Sequence, residues 1–305
     1  MTLAKSFEVG ALRCHTLEAG LQRLDGGAMF GVVPKPLWSR RIAADDRNRI
    51  PLALRCLLVE HPEGPVLIDT GVGNKEDEKF CSLYGVENAG RAGPTQLEDA
   101  LAEAGFGPDD VAWVVNTHLH FDHAGGNTCR GAESDRPSLA FPQATYVVQR
   151  GELDFARHTN ERTRGSYFAH NFEPVDAAGR WRLVEPGVEM LPGLVLRHTP
   201  GHVPFHQSIL ITDGGDSALF LADLIPTTAH LPLPWIMGYD VEPLRTLETK
   251  RAVLSEAADQ RWRLVFEHDP EVLWGRARME EGRVVLDDVA TRGGSTAGPG
   301  ARPRR

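Results

Sequence analysis

The sequence predicts an α/β fold in which two mixed β-sheets pack face to face with helices on the outside. Two observations carry that expectation. Short apolar, β-branched runs occur before, between and after helical stretches, without the strict alternation of a parallel doubly wound sheet. Hydrophobic residues make up 41% of the 305 positions, enough to fill the interior of such a sandwich.

The elements follow in chain order. Residues 52–60 read as a strand, and the turn His61-Pro62-Glu63-Gly64 leads to a second strand over 65–69. Thr95-Gln96-Leu97-Glu98 has the capping-box pattern and starts a helix that runs to Gly105. The β-branched run 111–116 reads as a buried strand, as do 144–149, 194–198, 207–212, 218–222 and 263–266. Helices are expected over 150–158 and 244–259. The stretch from Phe30 to Ile50 reads as irregular, with Pro34, Pro36, Leu37 and Trp38, and serves either to line a substrate site or to form a dimer contact. Residues 293–300 and the Arg-rich end are of low complexity. The expected organisation is one domain over 1–290, in which 1–50 is an N-terminal extension contributing to the pocket or a dimer contact, and a disordered tail over 291–305.

Charge and composition exclude several function classes. The formal net charge is −9, and the only basic cluster is the short tail, so no nucleic-acid partner is expected. No apolar stretch approaches the roughly 18 residues of a membrane span. The first ten residues lack the apolar region and cleavage site of a secretory signal, and Cys14, Cys56, Cys81 and Cys129 show no CxxC pairing. Reduced thiols in a cytoplasmic protein are the expectation.

One segment carries most of the chemistry: Thr117-His118-Leu119-His120-Phe121-Asp122-His123-Ala124-Gly125-Gly126-Asn127. Three imidazoles and a carboxylate stand within six residues, directly after a predicted strand. His118 and His120, two apart, point the same way if the strand geometry persists and can grip one ion. Asp122 and His123 lie on the turn beyond and can address a second. These are the ligand types that borderline divalent metals such as zinc prefer, although manganese, iron and cobalt also accept them. Gly125 and Gly126 allow a tight backbone turn beside the site. Four ligands cannot complete two coordination shells, so further donors are expected at later strand ends. Thr199-Pro200-Gly201-His202 offers His202 in a turn, Leu219-Phe220-Leu221-Ala222-Asp223 ends in a carboxylate, and Leu264-Val265-Phe266-Glu267-His268 ends in an imidazole. His198 and His206 flank the His202 turn, as packing residues or as supports for its ligands. His15, His61, His158 and His170 are isolated and read as surface imidazoles.

Over about residues 52–270 these motifs resemble the metallo-β-lactamase superfamily. The resemblance implies an αββα sandwich, with His118, His120 and His202 on one ion, Asp122, His123 and His268 on the other, and Asp223 bridging. Ile68-Asp69-Thr70-Gly71 is similar to the family's D-T-G turn, which implies that Asp69 orients a ligand imidazole. Val33-Pro34-Lys35-Pro36-Leu37-Trp38 and the HLHFDHAGGN form of the motif resemble the branch holding N-acyl-homoserine lactonases and methyl parathion hydrolase.

The chemistry expected of such a site is hydrolysis, with two divalent metal ions, most simply zinc, activating a bridging water against a carbonyl. Asp122 is the expected catalytic carboxylate, holding the nucleophile and relaying a proton to the leaving group. A lactone or other carboxylic ester is the expected substrate. Phosphotriesterase, β-lactamase and thioesterase activities are the alternatives, and a non-catalytic metal-binding or redox-sensing module is the rival outside enzymology. No Gly-x-Ser-x-Gly or Walker-type loop is present. Phe30, Trp38, Phe205, His230, Trp235, Ile236 and Tyr239 are the expected pocket residues for a small-molecule substrate. Apolar residues around Trp38 and Pro232-Leu233-Pro234-Trp235-Ile236-Met237 read either as a homodimer contact or as pocket lining and core.

Overall fold

The computed structural model describes residues 2–131 and 136–295. The chain opens with β1 (Ala4–Val9) and the 14-residue β2 (Leu12–Asp25), followed by the short helices α1 (Gly26–Phe30) and α2 (Lys35–Trp38). β3 (Arg49–Glu60) and β4 (Val66–Ile68) form the expected hairpin, and α3 (Glu78–Tyr84) and α4 (Gln96–Ala104) lead to β5 (Trp113–Val115). α5 (Phe121–Ala124) holds the His-rich segment. A small ribbon, β6 (Thr128–Cys129) and β7 (Ser138–Leu139), precedes β8 (Thr145–Gln149), α6 (Arg150–Arg157), α7 (Glu173–Ala177) and β9 (Trp181–Val184). The second half runs β10 (Glu189–Leu191), β11 (Leu194–His198), β12 (Gln207–Asp213), β13 (Asp216–Phe220), α8 (Pro243–Asp259) and β14 (Arg263–Val265). A closing hairpin of β15 (Val272–Glu280) and β16 (Arg283–Thr291) is capped by β17 (Gly294–Ser295).

Two sheets result, one of seven strands in the order β1-β2-β3-β4-β5-β8-β9 and one of eight strands running β10 to β17. Both are mixed, because β4, β5, β8 and β9 run parallel and β13 pairs parallel with β14. Alternation explains why the central strands read as continuous apolar runs. In β3, Leu57 and Val59 face the other sheet, whereas Leu54, Cys56 and Leu58 face the outer helices. In β13, Ala218 and Phe220 join the inter-sheet core and Leu219 packs towards α8. The layers are therefore helix, sheet, sheet, helix, as expected. α4 starts at the Thr95–Glu98 capping box and lays Leu97, Ala100 and Leu101 on the first sheet.

Several elements depart from the sequence reading. Residues 30–50 are not wholly irregular, since 35–38 form a helical turn with Pro36 in its first turn, where no backbone donor is needed. β1 and β2 went unread because β2 mixes polar residues into a buried strand: Glu18 is paired with Arg55 and His15 with Glu60, and Gln22 donates to Asp122. The expected tail begins inside β16, while residues 296–305 lie outside the described residues. His15 and His61 are buried rather than on the surface, because each has a hydrogen-bond partner, Glu60 and the Pro192 carbonyl respectively.

Candidate metal centre

β4, β5, β13 and β14 all point their carboxyl ends to one edge of the sandwich, as does β11, and each end delivers a ligand-type side chain. β4 leads to Asp69, β5 to His118 and His120, β11 to His202, β13 to Asp223 and β14 to His268. The four-residue helix α5 adds Asp122 and His123. All eight are buried; seven of them gather in two sets, His118, His120, His202 and Asp223, and Asp122, His123 and His268, while Asp69 groups with His123 and Glu267.

Asp223 stands between the sets. Its Oδ2 lies 3.0 Å from His202 Nε2, 3.5 Å from His123 Nε2 and 3.9 Å from His118 Nε2, while its Oδ1 lies 3.1 Å from His268 Nε2. Asp122 reaches from the other side, its oxygens 3.8 Å from both His123 Nε2 and His268 Nε2. Two pairs of imidazole nitrogens face each other, His202 Nε2 with His120 Nδ1 at 3.1 Å and His268 Nε2 with His123 Nε2 at 3.2 Å. His118 Nε2 and Asp223 Oδ1 are buried without a hydrogen bond among the described residues. Facing imidazole lone pairs and orphaned donor atoms around a shared carboxylate are what a divalent cation resolves, so the residues fit such an ion.

The outward ring nitrogens are held as well. His123 Nδ1 sits 3.1 Å from Asp69 Oδ2 and 3.1 Å from Glu267 Oε2. His202 Nδ1 is 2.9 Å from Asp240 Oδ1, His268 Nδ1 donates to the Ala53 carbonyl at 2.7 Å, and His118 Nδ1 is 3.1 Å from Thr117 Oγ1. Such contacts fix tautomer and ring direction. The backbone is drawn tight around them: Asp69 and Ala222 both hold positive φ, 55° and 46°, at the turns that present ligands. A Cβ on Gly126 would stand 2.2 Å from the Thr70 carbonyl oxygen, so only glycine lets the His-rich segment close onto the Asp69 turn.

Electrostatics divide the imidazoles. Burial and the neighbouring imidazoles keep His118 and His120 well below the usual range, as neutral ligands must be. Burial also works against charge on His202 and His268, but Asp223 outweighs it and pushes them up to about 10 and about 9. Burial, with Asp69 alongside, lifts the Glu267 carboxyl to about 8 against the pull of His123.

The site opens into a cleft of about 320 Å³. His120, Asp122, His202, Asp223 and His268 form its polar floor, Leu24, Met29, Leu52, Phe121, Met237 and Val241 its apolar walls, and Tyr84, Tyr239 and Arg162 part of the rest. Of the residues expected in the pocket, only Tyr239 lines this cleft. Phe30 and Trp38 stack at 5.3 Å in the buried cluster behind the wall residues Met29, Leu52 and Met237, His230 stacks on Phe30 at 4.5 Å, and Trp235 meets Phe30 edge-on at 5.7 Å. Ile236 is half-buried off the cleft, its carbonyl close against Gly31, and Phe205 covers Gly151 at the start of α6. These aromatic residues are consumed by packing within the chain, which also removes Trp38 as an argument for a dimer contact.

Residues 50–273, well over half the chain, match the Metallo-beta-lactamase superfamily. The chain belongs to the metallo-β-lactamase superfamily. Within it, an N-acyl homoserine lactonase of Bacillus thuringiensis is 33% identical over 178 residues, covering 56% of this chain and 64% of that protein. A Bacillus sp N-acyl homoserine lactonase is matched over 59% of its length, so the chain aligns with less than two thirds of these relatives. The N-acyl homoserine lactonase AttM of Azorhizobium caulinodans is 29% identical over 237 residues, 70% of this chain and 81% of that one. Among solved structures, a probable metal-dependent hydrolase from Staphylococcus aureus superposes with a TM-score of 0.85 at 32% identity, covering 94% of this chain and 99% of that one. A dizinc quorum-quenching lactonase in complex with a product shares the fold at 22% identity and a TM-score of 0.76.

Around this superfamily centre stand four residues that the sequence did not single out, and His206, which it placed beside the His202 turn. Asp240 and Glu267 flank ligand imidazoles, Gln22 donates from β2 to Asp122 Oδ2, and Glu152 accepts from Leu119 N at 2.9 Å and from the Tyr167 hydroxyl at 3.0 Å. His206, fully buried and driven down to about 3 mainly by burial, accepts from Asp223 N at 3.2 Å. Only Glu267 carried a signal, as an acidic residue beside a candidate ligand in an apolar strand end. The others lie far from the ligands they touch and match no short motif. No helix among the described residues is long and apolar enough to cross a membrane, and all four cysteines are free thiols.

Proposed function

We propose that this protein is a binuclear metal-dependent hydrolase that opens lactones or cleaves related carboxylic esters. The observation that carries the reading is the convergence of seven buried donors around Asp223, five of them on the floor of an apolar-walled cleft. His118, His120 and His202 hold one ion, Asp122, His123 and His268 the other, and Asp223 spans both. Zinc is the proposed metal, as imidazole and carboxylate donors suit it. Two such ions supply a nucleophile at neutral pH by lowering the pKa of a water, and polarise the substrate oxygen.

The chain's own residues supply the rest. Asp122 lines the cleft with its carboxylate beside the reacting centre, placed to accept a proton and deliver it to the departing alkoxide. Leu24, Met29 and Leu52 on one wall, with Met237 and Val241, exclude water from an acyl substituent, and the Tyr84 and Tyr239 hydroxyls lie within reach of its polar end. No serine or cysteine nucleophile is required. β1 and β2 continue the seven-stranded sheet, which supports treating residues 1–290 as one catalytic unit.

The test is kcat/KM on zinc-loaded enzyme for γ- and δ-lactones, acyl-homoserine lactones, aryl esters, paraoxon and a β-lactam. Lactones leading the panel is the expected result. Paraoxon exceeding every lactone by about tenfold, an energetic difference of about 1.4 kcal/mol, favours the phosphotriesterase reading instead. Two tightly bound ions with no turnover on any substrate favours the non-catalytic module.

A further inference from the structure

Gln22 lies in β2, before the segment that matches the superfamily, and is fully buried. It pairs across the sheet with Leu52, a wall residue of the cleft, and Leu24, two positions further along β2 and paired with Ile50, lines the same cleft. Its Nε2 donates to Asp122 Oδ2, while its Oε1 has no hydrogen bond among the described residues. A carboxylate only accepts, so the amide nitrogen is the end that faces it. An orphaned buried carbonyl is destabilising, and in a native protein such a group calls for an explanation.

Charge supplies one. A lysine or arginine at this position would neutralise Asp122 and repel cations from the centre. A carboxamide donates a hydrogen bond without adding charge, so it holds the Asp122 carboxylate in place and leaves its negative charge to a divalent ion. Asp122 is the one carboxylate of the set it forms with His123 and His268, so the negative charge that this set itself offers an ion is carried by Asp122.

We propose that Gln22 is a positioning residue that sets the affinity of the Asp122–His123–His268 ion site, acting through Asp122. This rests on the binuclear reading above. It makes β2 part of the metal centre and ties cleft wall and ligand geometry to one strand.

The experiment titrates zinc into metal-free wild type, Gln22→Leu and Gln22→Asn in competition with a chromophoric chelator, and records the Tm of each metal-free protein. Leucine removes the donor and the orphaned carbonyl together, and asparagine keeps an amide that is one carbon too short. Both variants are expected to bind the first equivalent like wild type and the second roughly ten- to hundredfold more weakly, the usual scale for losing a hydrogen-bond partner of a metal ligand. Metal-free Gln22→Leu is expected to melt close to wild type, because the substitution removes the orphaned carbonyl together with the donor, and the Asp122 carboxylate that loses this donor still borders the cleft. Equal affinity for both equivalents in wild type and variants overturns the inference, as does a fall in metal-free Tm in both variants with unchanged zinc affinity. Wild type that takes up fewer than two ions overturns the binuclear reading instead.

Discussion

The Asp240 carboxylate holds His202 Nδ1 at 2.9 Å, although the two residues come from different turns, 38 positions apart. His202 is thereby fixed with Nε2 towards Asp223 and His120. The loop carrying Asp240 is itself tied down, since Arg162 donates to the Gly238 carbonyl at 2.7 Å and to the Asp240 carbonyl at 3.3 Å. A chain of contacts thus runs from the cleft mouth to a ligand.

Asp240→Ala is expected to weaken zinc binding at the His118–His120–His202 set roughly ten- to hundredfold, with Asp240→Asn intermediate because its carbonyl oxygen can still accept from Nδ1. Chelator competition measures it. Unchanged affinity in Asp240→Ala would show that His202 needs no support.

Asp223→Ala removes the only carboxylate shared by both sets and is expected to lose most bound metal and nearly all hydrolysis. Metal analysis of the purified variant decides the point. Two ions retained per chain would contradict a bridging role.

Metal binding is expected to release protons. In the metal-free protein His202 and His268 are pushed up to about 10 and about 9, so near pH 7 each carries a proton that an ion must displace. Apparent zinc affinity should therefore rise from pH 6 towards pH 9. Folding stability should respond with the opposite sign. Because these folded-state values lie above the unfolded 6.5, the stabilisation is fully present below about pH 6.5 and is lost as pH rises through about 9 to 10. Calorimetry in two buffers of different ionisation enthalpy, and Tm of metal-free protein across this range, test both. Flat profiles in each would refute the coupling.

Trp38→Ala is expected to cost about 3–5 kcal/mol of stability, as for other buried aromatic residues, because Trp38 stacks on Phe30 in a closed cluster and fills the space against Gly26. Its effect on KM should be small. Denaturant unfolding alongside substrate kinetics separates the two, and a large KM change with unaltered stability would return Trp38 to the cleft.

The comparison of sequence and structure divides along physical lines. Residues 118–123 were readable because they crowd imidazoles and a carboxylate into one short loop, and the strands 194–198 and 263–265 because each contains a short apolar run, 194–196 and 264–265, that buries part of the strand. The expected pocket aromatics were misplaced because a large apolar side chain satisfies a core and a cleft equally well, and periodicity does not say which. Phe30 and Trp38 met each other and His230 before they could meet a substrate. β2 escaped notice because its buried polar residues are paid for by partners elsewhere in the chain.

By itself, the sequence determined the layered α/β architecture, the His-rich loop and the three downstream strand ends, because each is written in local spacing and apolar patterning. Tertiary structure alone decided which imidazoles face each other, that Asp240 and Glu267 stand against the His202 and His123 rings, and that Gln22 reaches Asp122 from 100 residues away. A hydrogen bond between distant segments depends on how two sheets and their loops come together, and no local pattern of residues encodes that distance.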